Sequence, residues 1–112
     1  MSILIKLNAS KSIATIELNK PPVNSLNTEL WQDLTDALRS IESQKSVRGL
    51  IIKSVLSRMV FTAGNDLMEL YAPATTKEKY THFWKLSNKF LADLYVTRLV
   101  TIACVKGQKK LD

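Results

Sequence analysis

The spacing of the apolar residues changes between residues 18 and 30, and that change limits the fold more than any other feature. Ile3, Ile5 and Leu7 recur at every second position, as do Ala14, Ile16 and Leu18. A period of two puts each set on one face of a strand, and Asn8-Ala9-Ser10-Lys11 between them supplies turn chemistry. Residues 3–18 are therefore predicted to form a hairpin with one buried face. From Leu30 the spacing becomes three and four, through Leu34, Ala37, Leu38 and Ile41, with Trp31 widening the stripe. That is an amphipathic helix from Thr28 to about Ser43. Asn27 suits its N-cap, and Glu29 sits in the first turn, where the helix dipole favours an acid. Pro21-Pro22 stands at the change itself. Two prolines offer no N–H to a ladder and hold the preceding residue extended, so the chain must leave the sheet there.

Farther on, Gly49 and Leu50-Ile51-Ile52 make a short apolar run between Arg48 and Lys53, the profile of a buried parallel strand. Ser54 to Arg58 reads as a loop. Ala72-Pro73-Ala74 breaks the chain, and Thr75 with Glu78 has the spacing of a capping box. Tyr80, Phe83, Trp84, Ser87, Phe90, Leu91, Leu94 and Tyr95 keep helical spacing to about Thr97, and their aromatic stripe is expected to be core. Leu99 to Val105 reads as a further buried strand ended by Lys106-Gly107, and Gln108 to Asp112 as a polar tail. The expected class is α/β. The strand-strand-helix module of residues 1–43 is loosely echoed by residues 49–97, without a repeat of fixed period.

Between these elements lies Met59-Val-Phe-Thr-Ala-Gly-Asn-Asp-Leu-Met-Glu-Leu70. Met59, Val60 and Phe61 read as a short strand, Ala63-Gly64 as a tight turn, and Asp66 as the cap of a following helix. The N–H groups of Gly64 and Asn65 are then expected to point out of the turn beside a helix start, a place suited to an anion or a developing oxyanion.

Composition narrows the function. At 112 residues the chain is the size of one domain, able to bury roughly two thirds of its unfolded surface. Sixteen Lys+Arg against ten Asp+Glu leave a net charge of +6, which favours anionic partners. The lysines at 45, 53, 77, 79, 85 and 89 are scattered singly, however, the pattern of solvated faces. No basic cluster or aromatic-basic alternation supports a nucleic-acid module. Cys104 is the only cysteine, so there is no intramolecular disulfide and no cysteine zinc pattern; its apolar run suggests a buried, inert thiol in a reducing compartment. His82 is the only histidine and falls on the polar side of its helix, so no metal site is expected. No apolar run approaches the roughly 20 residues that span a bilayer. The first ten residues hold one lysine and no arginine, without the marks of a secretory or transit segment.

Two stretches taken together resemble the crotonase (enoyl-CoA hydratase/isomerase) superfamily. The first is Ile13-Ala-Thr-Ile-Glu-Leu-Asn-Lys-Pro-Pro-Val-Asn-Ser-Leu26, similar to that family's strand leading through Leu-Asn-(Lys/Arg)-Pro to Asn-(Ala/Ser)-Leu. The second is the strand Leu50 to Ile52 followed by Phe61-Thr-Ala-Gly-Asn-Asp-Leu67, similar to its Phe-(Ser/Ala)-Ala-Gly-x-Asp-(Leu/Ile) signature. Order and spacing both agree, the likeness covers about Ile3 to Gly107, and the Pro21-Pro22 doublet leans toward the delta isomerase branch. The resemblance implies a crotonase-like β-β-α spiral over residues 1–107 and an acyl-coenzyme A thioester as ligand, with coenzyme A entering as part of the substrate and no separate cofactor. It implies that the Asn65 backbone N–H is one of two donors to the thioester oxygen. Ala63, Gly64, Asp66 and Leu67 would contact the adenine and pantetheine portions, and Lys20, Pro21, Pro22 and Val23 would lie beside the nucleotide. A mitochondrial matrix location, a homotrimeric assembly and a role in fatty acid β-oxidation come with the family.

In that family a glycine-rich turn after the strand corresponding to Leu99–Val105 carries the second donor, and a later glutamate moves the proton. Lys106-Gly107 fits the start of the turn; Gln108 to Asp112 does not fit its continuation. The expectation is an isomerase-type protein, converting a 3-enoyl thioester to the 2-trans isomer by carrying a proton from C2 to C4, that is inactive as this truncated chain. One lost oxyanion donor costs about 10²–10³ in rate, and a lost general base about 10²–10⁴ more. Asp66 as an N-cap and Glu69 as a surface charge are not expected to substitute. The alternatives are a non-catalytic acyl-CoA binder, a truncated form that associates with complete subunits, or a fragment whose open sheet edge leaves it unstable.

Overall fold

The computed structural model describes residues 2–57, 60–71, 73 and 75–105. The elements follow in the order β1 (Ile3–Leu7), β2 (Ile13–Leu18), α1 (Thr28–Glu42), β3 (Gly49–Ser54), α2 (Leu67–Leu70), α3 (Lys77–Val96) and β4 (Val100–Cys104). The four strands form one sheet in chain order, β1 antiparallel to β2, and β2, β3 and β4 parallel.

The hairpin closes as its turn residues dictate. The Asn8 side chain accepts from the N–H groups of Ser12 (2.8 Å) and Ile13 (3.0 Å), and Lys11 takes a left-handed φ of 56°. Its pairing, Ile3 with Leu18 through Leu7 with Ala14, sets Ile3, Ile5, Ala14, Ile16 and Leu18 on one face. β3 continues that face with Leu50 and Ile52. α1 lays Leu30, Leu34, Leu38 and Ile41 against it and α3 adds Phe83 and Phe90, so both helices and one side of the sheet share a single core. α1 starts on Asn27, whose Oδ1 accepts from Leu30 N at 2.8 Å.

Among the described residues the other side of the sheet carries no helix. There Glu17, only 7% exposed, forms ion pairs with Lys6 (3.2 Å) and Lys53 (3.7 Å), joining β1, β2 and β3.

Arg98 locks the second half to the first. Its guanidinium donates to the carbonyls of Val47 (2.6 Å), Glu42 (2.9 Å) and Gln44 (3.1 Å), and Thr97 Oγ1 donates to Glu42 Oε2 (2.7 Å). One cation thus gathers the last carbonyl of α1 and two carbonyls of the loop that leads to β3.

Four expectations are corrected. β4 forms at its predicted place but all five residues are exposed, because β3 is its only described neighbour and no layer covers it. Cys104 at its end is accordingly exposed, not buried. The helix after the Pro73 break is capped by Thr76, whose hydroxyl accepts from Lys79 N at 3.2 Å; Thr75 instead turns back, its N–H donating to Tyr71 O. The aromatic stripe of α3 is only partly core, since Phe83 and Phe90 are buried while Tyr80, Leu91 and Tyr95 are exposed. Lys106 to Asp112, with the turn and tail expected there, lie outside the described residues, as do Arg58, Met59, Ala72 and Ala74.

Arg98→Lys keeps the charge but cannot reach three carbonyls from one planar fork. We expect it to destabilise the protein by about 1–3 kcal/mol, measured as a lower urea midpoint with an unchanged slope.

Candidate functional site

Four cross-connections zip the segment after Pro22 to the segment before α2. Ala63 N donates to Val23 O (2.8 Å), Leu26 N to Gly64 O (2.8 Å) and Asp66 N to Leu26 O (2.9 Å). Thr62 Oγ1 donates to Asn24 O (2.6 Å). Leu26 and Asn65 consequently form an isolated parallel bridge. The two stretches that carry the family resemblance, 40 residues apart in sequence, are one structural unit.

Asn24 is the centre of that unit. It is fully buried with a left-handed φ of 53°, a conformation asparagine tolerates better than most residues. Its Oδ1 accepts from Lys20 N (2.6 Å), and its Nδ2 donates to Ser54 Oγ (2.9 Å) and Phe61 O (2.9 Å). It therefore fastens the Lys20–Val23 loop, the end of β3 and the approach to the turn at once. Pro21-Pro22 is a cis pair, exposed on the loop that Asn24 closes. The site residues inferred from sequence do not include Asn24, although a polar residue between Val23 and Leu26 beside a proline doublet is the signal that could have marked it.

The bridge decides where the turn's amides point. A parallel bridge uses the carbonyl before and the N–H after its central residue. Gly64 O and Asp66 N face Leu26, so the N–H of Asn65 is directed away from it. That N–H makes no hydrogen bond among the described residues. The Asn65 side chain is held too, its Oδ1 accepting from Trp31 Nε1 at 3.3 Å. Gly64 corrects the expectation of two outward amides: its N–H donates inward to Thr62 Oγ1 at 3.0 Å. Its φ of +90° does require glycine, and the space where a Cβ would stand is open.

Three more corrections follow. Phe61 and Val60 are not strand, because Phe61 O is taken by the Asn24 side chain and not by a ladder; Met59 lies outside the described residues. The helix after the turn is a single turn, Leu67–Leu70, capped by Asp66 Oδ1 on Met68 N (3.0 Å), so it adds little dipole beside the Asn65 amide. Glu69 is not a free surface charge. Its Oε1 accepts from Thr28 N (2.8 Å) and Thr28 Oγ1 (2.5 Å), holding the start of α1. Leu67 and Met68 are exposed beside the turn.

Under the turn lies an apolar cavity of about 210 Å³, its walls including Leu26, Trp31, Phe61, Thr62, Leu94 and Ala103. In another groove Asp33 on α1, beside Ile3 and Ile5, has its carboxyl pKa raised by burial and then by Glu29 and Asp36. His82 is exposed, as its place on the polar side of its helix predicts. Among the described residues no group of His, Cys, Asp and Glu could hold a metal ion, and no helix is long and apolar enough to cross a membrane.

The sequence matches the enoyl-CoA hydratase/isomerase family over residues 8–110. It is similar to mitochondrial enoyl-CoA delta isomerase 1 of mouse, 30% identical over 105 residues that make up 94% of this chain and 35% of that protein. The human protein of the same name is 32% identical over 94% of this chain and 34% of its own length. The fold is similar to the crystal structure of human mitochondrial delta3-delta2-enoyl-CoA isomerase, with a TM-score of 0.87 and 32% identity over 96% of this chain and 40% of that one. The chain thus spans about a third of the length of the curated relatives it matches.

Asn24→Ala orphans Lys20 N and Phe61 O and takes one of two donors from Ser54 Oγ, which keeps Leu56 N. Since an unsatisfied buried group costs about 1–3 kcal/mol, we expect a loss of roughly 2–4 kcal/mol by denaturant titration. Asn24→Asp, which keeps the acceptor but loses both donors, should lose most of the same. Gly64→Ala meets nothing sterically and should cost about 1–2 kcal/mol from its left-handed backbone alone, read in the same titration.

Proposed function

The chain belongs to the enoyl-CoA hydratase/isomerase family, and from that premise we propose that it binds an acyl-coenzyme A thioester at the turn Thr62–Leu67. One observation carries the reading: the Leu26–Asn65 bridge spends Gly64 O and Asp66 N–H and leaves the Asn65 N–H turned away from it without a partner among the described residues. A backbone amide held by a bridge on one side and an indole on the other is a preorganised donor for a thioester oxygen. Ala63, Gly64, Asp66 and Leu67 then carry the pantetheine and adenine portions, and Lys20 to Val23 the nucleotide side. The net charge of +6 favours a polyphosphate ligand at long range.

The chemistry of the assembled family site is isomerisation of a 3-enoyl thioester. Polarising the thioester carbonyl acidifies C2, a base removes that proton, the double bond moves into conjugation, and the proton returns at C4. These residues supply one donor to the carbonyl. The two carboxylates of the turn region are occupied, Asp66 on Met68 N and Glu69 on Thr28, so neither is a free base. We read the chain as the binding part of a fatty acid β-oxidation enzyme, with association with complete subunits as the second reading, favoured by the uncovered β4. A mitochondrial location follows the names of its relatives.

Calorimetry with butyryl-coenzyme A and its thioether analogue, which lacks the carbonyl oxygen, tests this. A neutral hydrogen bond is worth about 0.5–1.5 kcal/mol net, so the thioester should bind roughly 2- to 10-fold more tightly. Equal affinities would remove Asn65 from the role; no heat with either would end the coenzyme A reading. A 3-enoyl thioester should be bound without turnover, and measurable isomerisation would refute the inactive assignment.

A further inference from the structure

Four bonds tie the Thr62–Leu67 turn to the segment before α1, and all end on one short strip, at Val23 O, Asn24 O, Leu26 N and Leu26 O. Bonds gathered along a strip fix register but leave a hinge, because the turn can swing about the strip while each of the four keeps its length. Two further bonds, Gly64 N to Thr62 Oγ1 and Met68 N to Asp66 Oδ1, are internal to the turn and the helix it opens, and do not oppose that swing. Among the described residues one bond from the turn leaves the strip: Trp31 Nε1, in the first turn of α1, donates to Asn65 Oδ1 at 3.3 Å. Its anchor is firm. Trp31 is 6% exposed and its ring lies 6.0 Å from that of Phe90, both within the core. An indole N–H can only donate, so the Asn65 atom that faces it is the oxygen.

Position 65 is the one place inside the stretch Phe61-Thr-Ala-Gly-Asn-Asp-Leu67 where the matching signature makes no demand on residue type. A backbone amide would serve there with any side chain. An asparagine matched to a tryptophan 34 residues earlier is therefore a fitting of this chain, beyond what the motif requires. Its effect on the amide is direct. Gly64 O and Asn65 N–H share one rigid peptide plane, and holding the Asn65 side chain fixes the far side of that plane as Leu26 N fixes the near side. Hydrogen bonds weaken steeply once the N–H···O angle falls below about 120°, so a swinging donor would meet a carbonyl oxygen only part of the time. We propose that Trp31 is a positioning residue for the thioester donor: through the Asn65 side chain, its indole stops the turn from swinging about residues 23–26 and sets where the Asn65 N–H stands. The inference rests on the acyl-coenzyme A reading, which needs only a free amide, and adds the group that aims it.

Two variants of the full chain remove the tie from opposite ends. Trp31→Phe keeps a ring against Phe90 but has no N–H, and Asn65→Leu keeps the backbone amide but has no acceptor. Each is titrated by calorimetry with butyryl-coenzyme A and with its thioether analogue. The unaltered chain should prefer the thioester, and both variants should lose that preference while binding the thioether as before, because the analogue has no oxygen for the donor to meet. The double variant should lose no more than either single one, since both remove the same interaction. Without ligand, nitrogen-15 relaxation should show the order parameter of the Asn65-position N–H falling from the rigid range near about 0.85 toward the flexible range below about 0.6, with β2 still rigid. Asn65→Leu leaves the core untouched and decides the matter if Trp31→Phe does not fold. Full thioester preference in either folded variant would overturn the positioning role, as would an unchanged order parameter or an equal loss of affinity for both ligands. Absence of any preference in the unaltered chain would end the acyl-coenzyme A reading and this inference with it, a failure told apart from the others because it is seen before any residue is changed.

Discussion

A single buried amide, that of Asn24, holds the end of this molecule that carries the Thr62–Leu67 turn in shape. The turn that presents the Asn65 N–H has almost no core of its own: Ala63, Leu67 and Met68 are exposed and α2 contains no buried residue. Burial cannot fix such a segment, so hydrogen bonds must. Asn24 ties the proline loop to the end of β3 and to Phe61, the Leu26 bridge extends the tie to Asp66, and Trp31 and Thr28 fasten Asn65 and Glu69 to α1. The position of one donor is thereby inherited from β2, β3 and α1, the best-packed parts of the chain.

Much of this was legible because local periodicity and burial agree. The hairpin of residues 3–18, α1 with its Asn27 cap, β3 as a parallel strand and the long helix ending near Thr97 all follow from spacing and turn chemistry, because the first three bury the stripe that spacing predicts and α3 buries Phe83 and Phe90 of its own. The left-handed glycine and the Asp66 cap follow from residue type alone. The assignment of the turn to a thioester came from two motifs whose order and separation match a family; what the fold adds is the reason both motifs are needed, since each supplies half of the hydrogen bonds between them.

What escaped the sequence depends on partners distant in the chain. Val100 to Cys104 has the composition of a buried strand, yet burial belongs to neighbours, and β4 has one. Phe61 has the profile of a strand residue until the Asn24 side chain claims its carbonyl. Glu69 is an ordinary acid in one dimension and a cap for α1 in three, 41 residues from the Thr28 it binds. Arg98 looks like a solvated cation between a helix and a strand, but its donors meet three carbonyls from the α1–β3 junction. Each case is a polar group satisfied across a long separation, the kind of contact that periodicity does not encode.

Glu17 has a consequence for how the sheet finds its alignment. Because side chains alternate along a strand, sliding β1 by one position would swing Lys6 to the helical side and strip this nearly buried carboxylate of one counter-ion, while displacing β3 would remove the other. Misthreaded arrangements of the three strands would then carry an uncompensated, nearly buried carboxylate. One glutamate, shared by two lysines, acts as an error check during assembly that the apolar residues around it could not perform, since they would be nearly as content one step out of place.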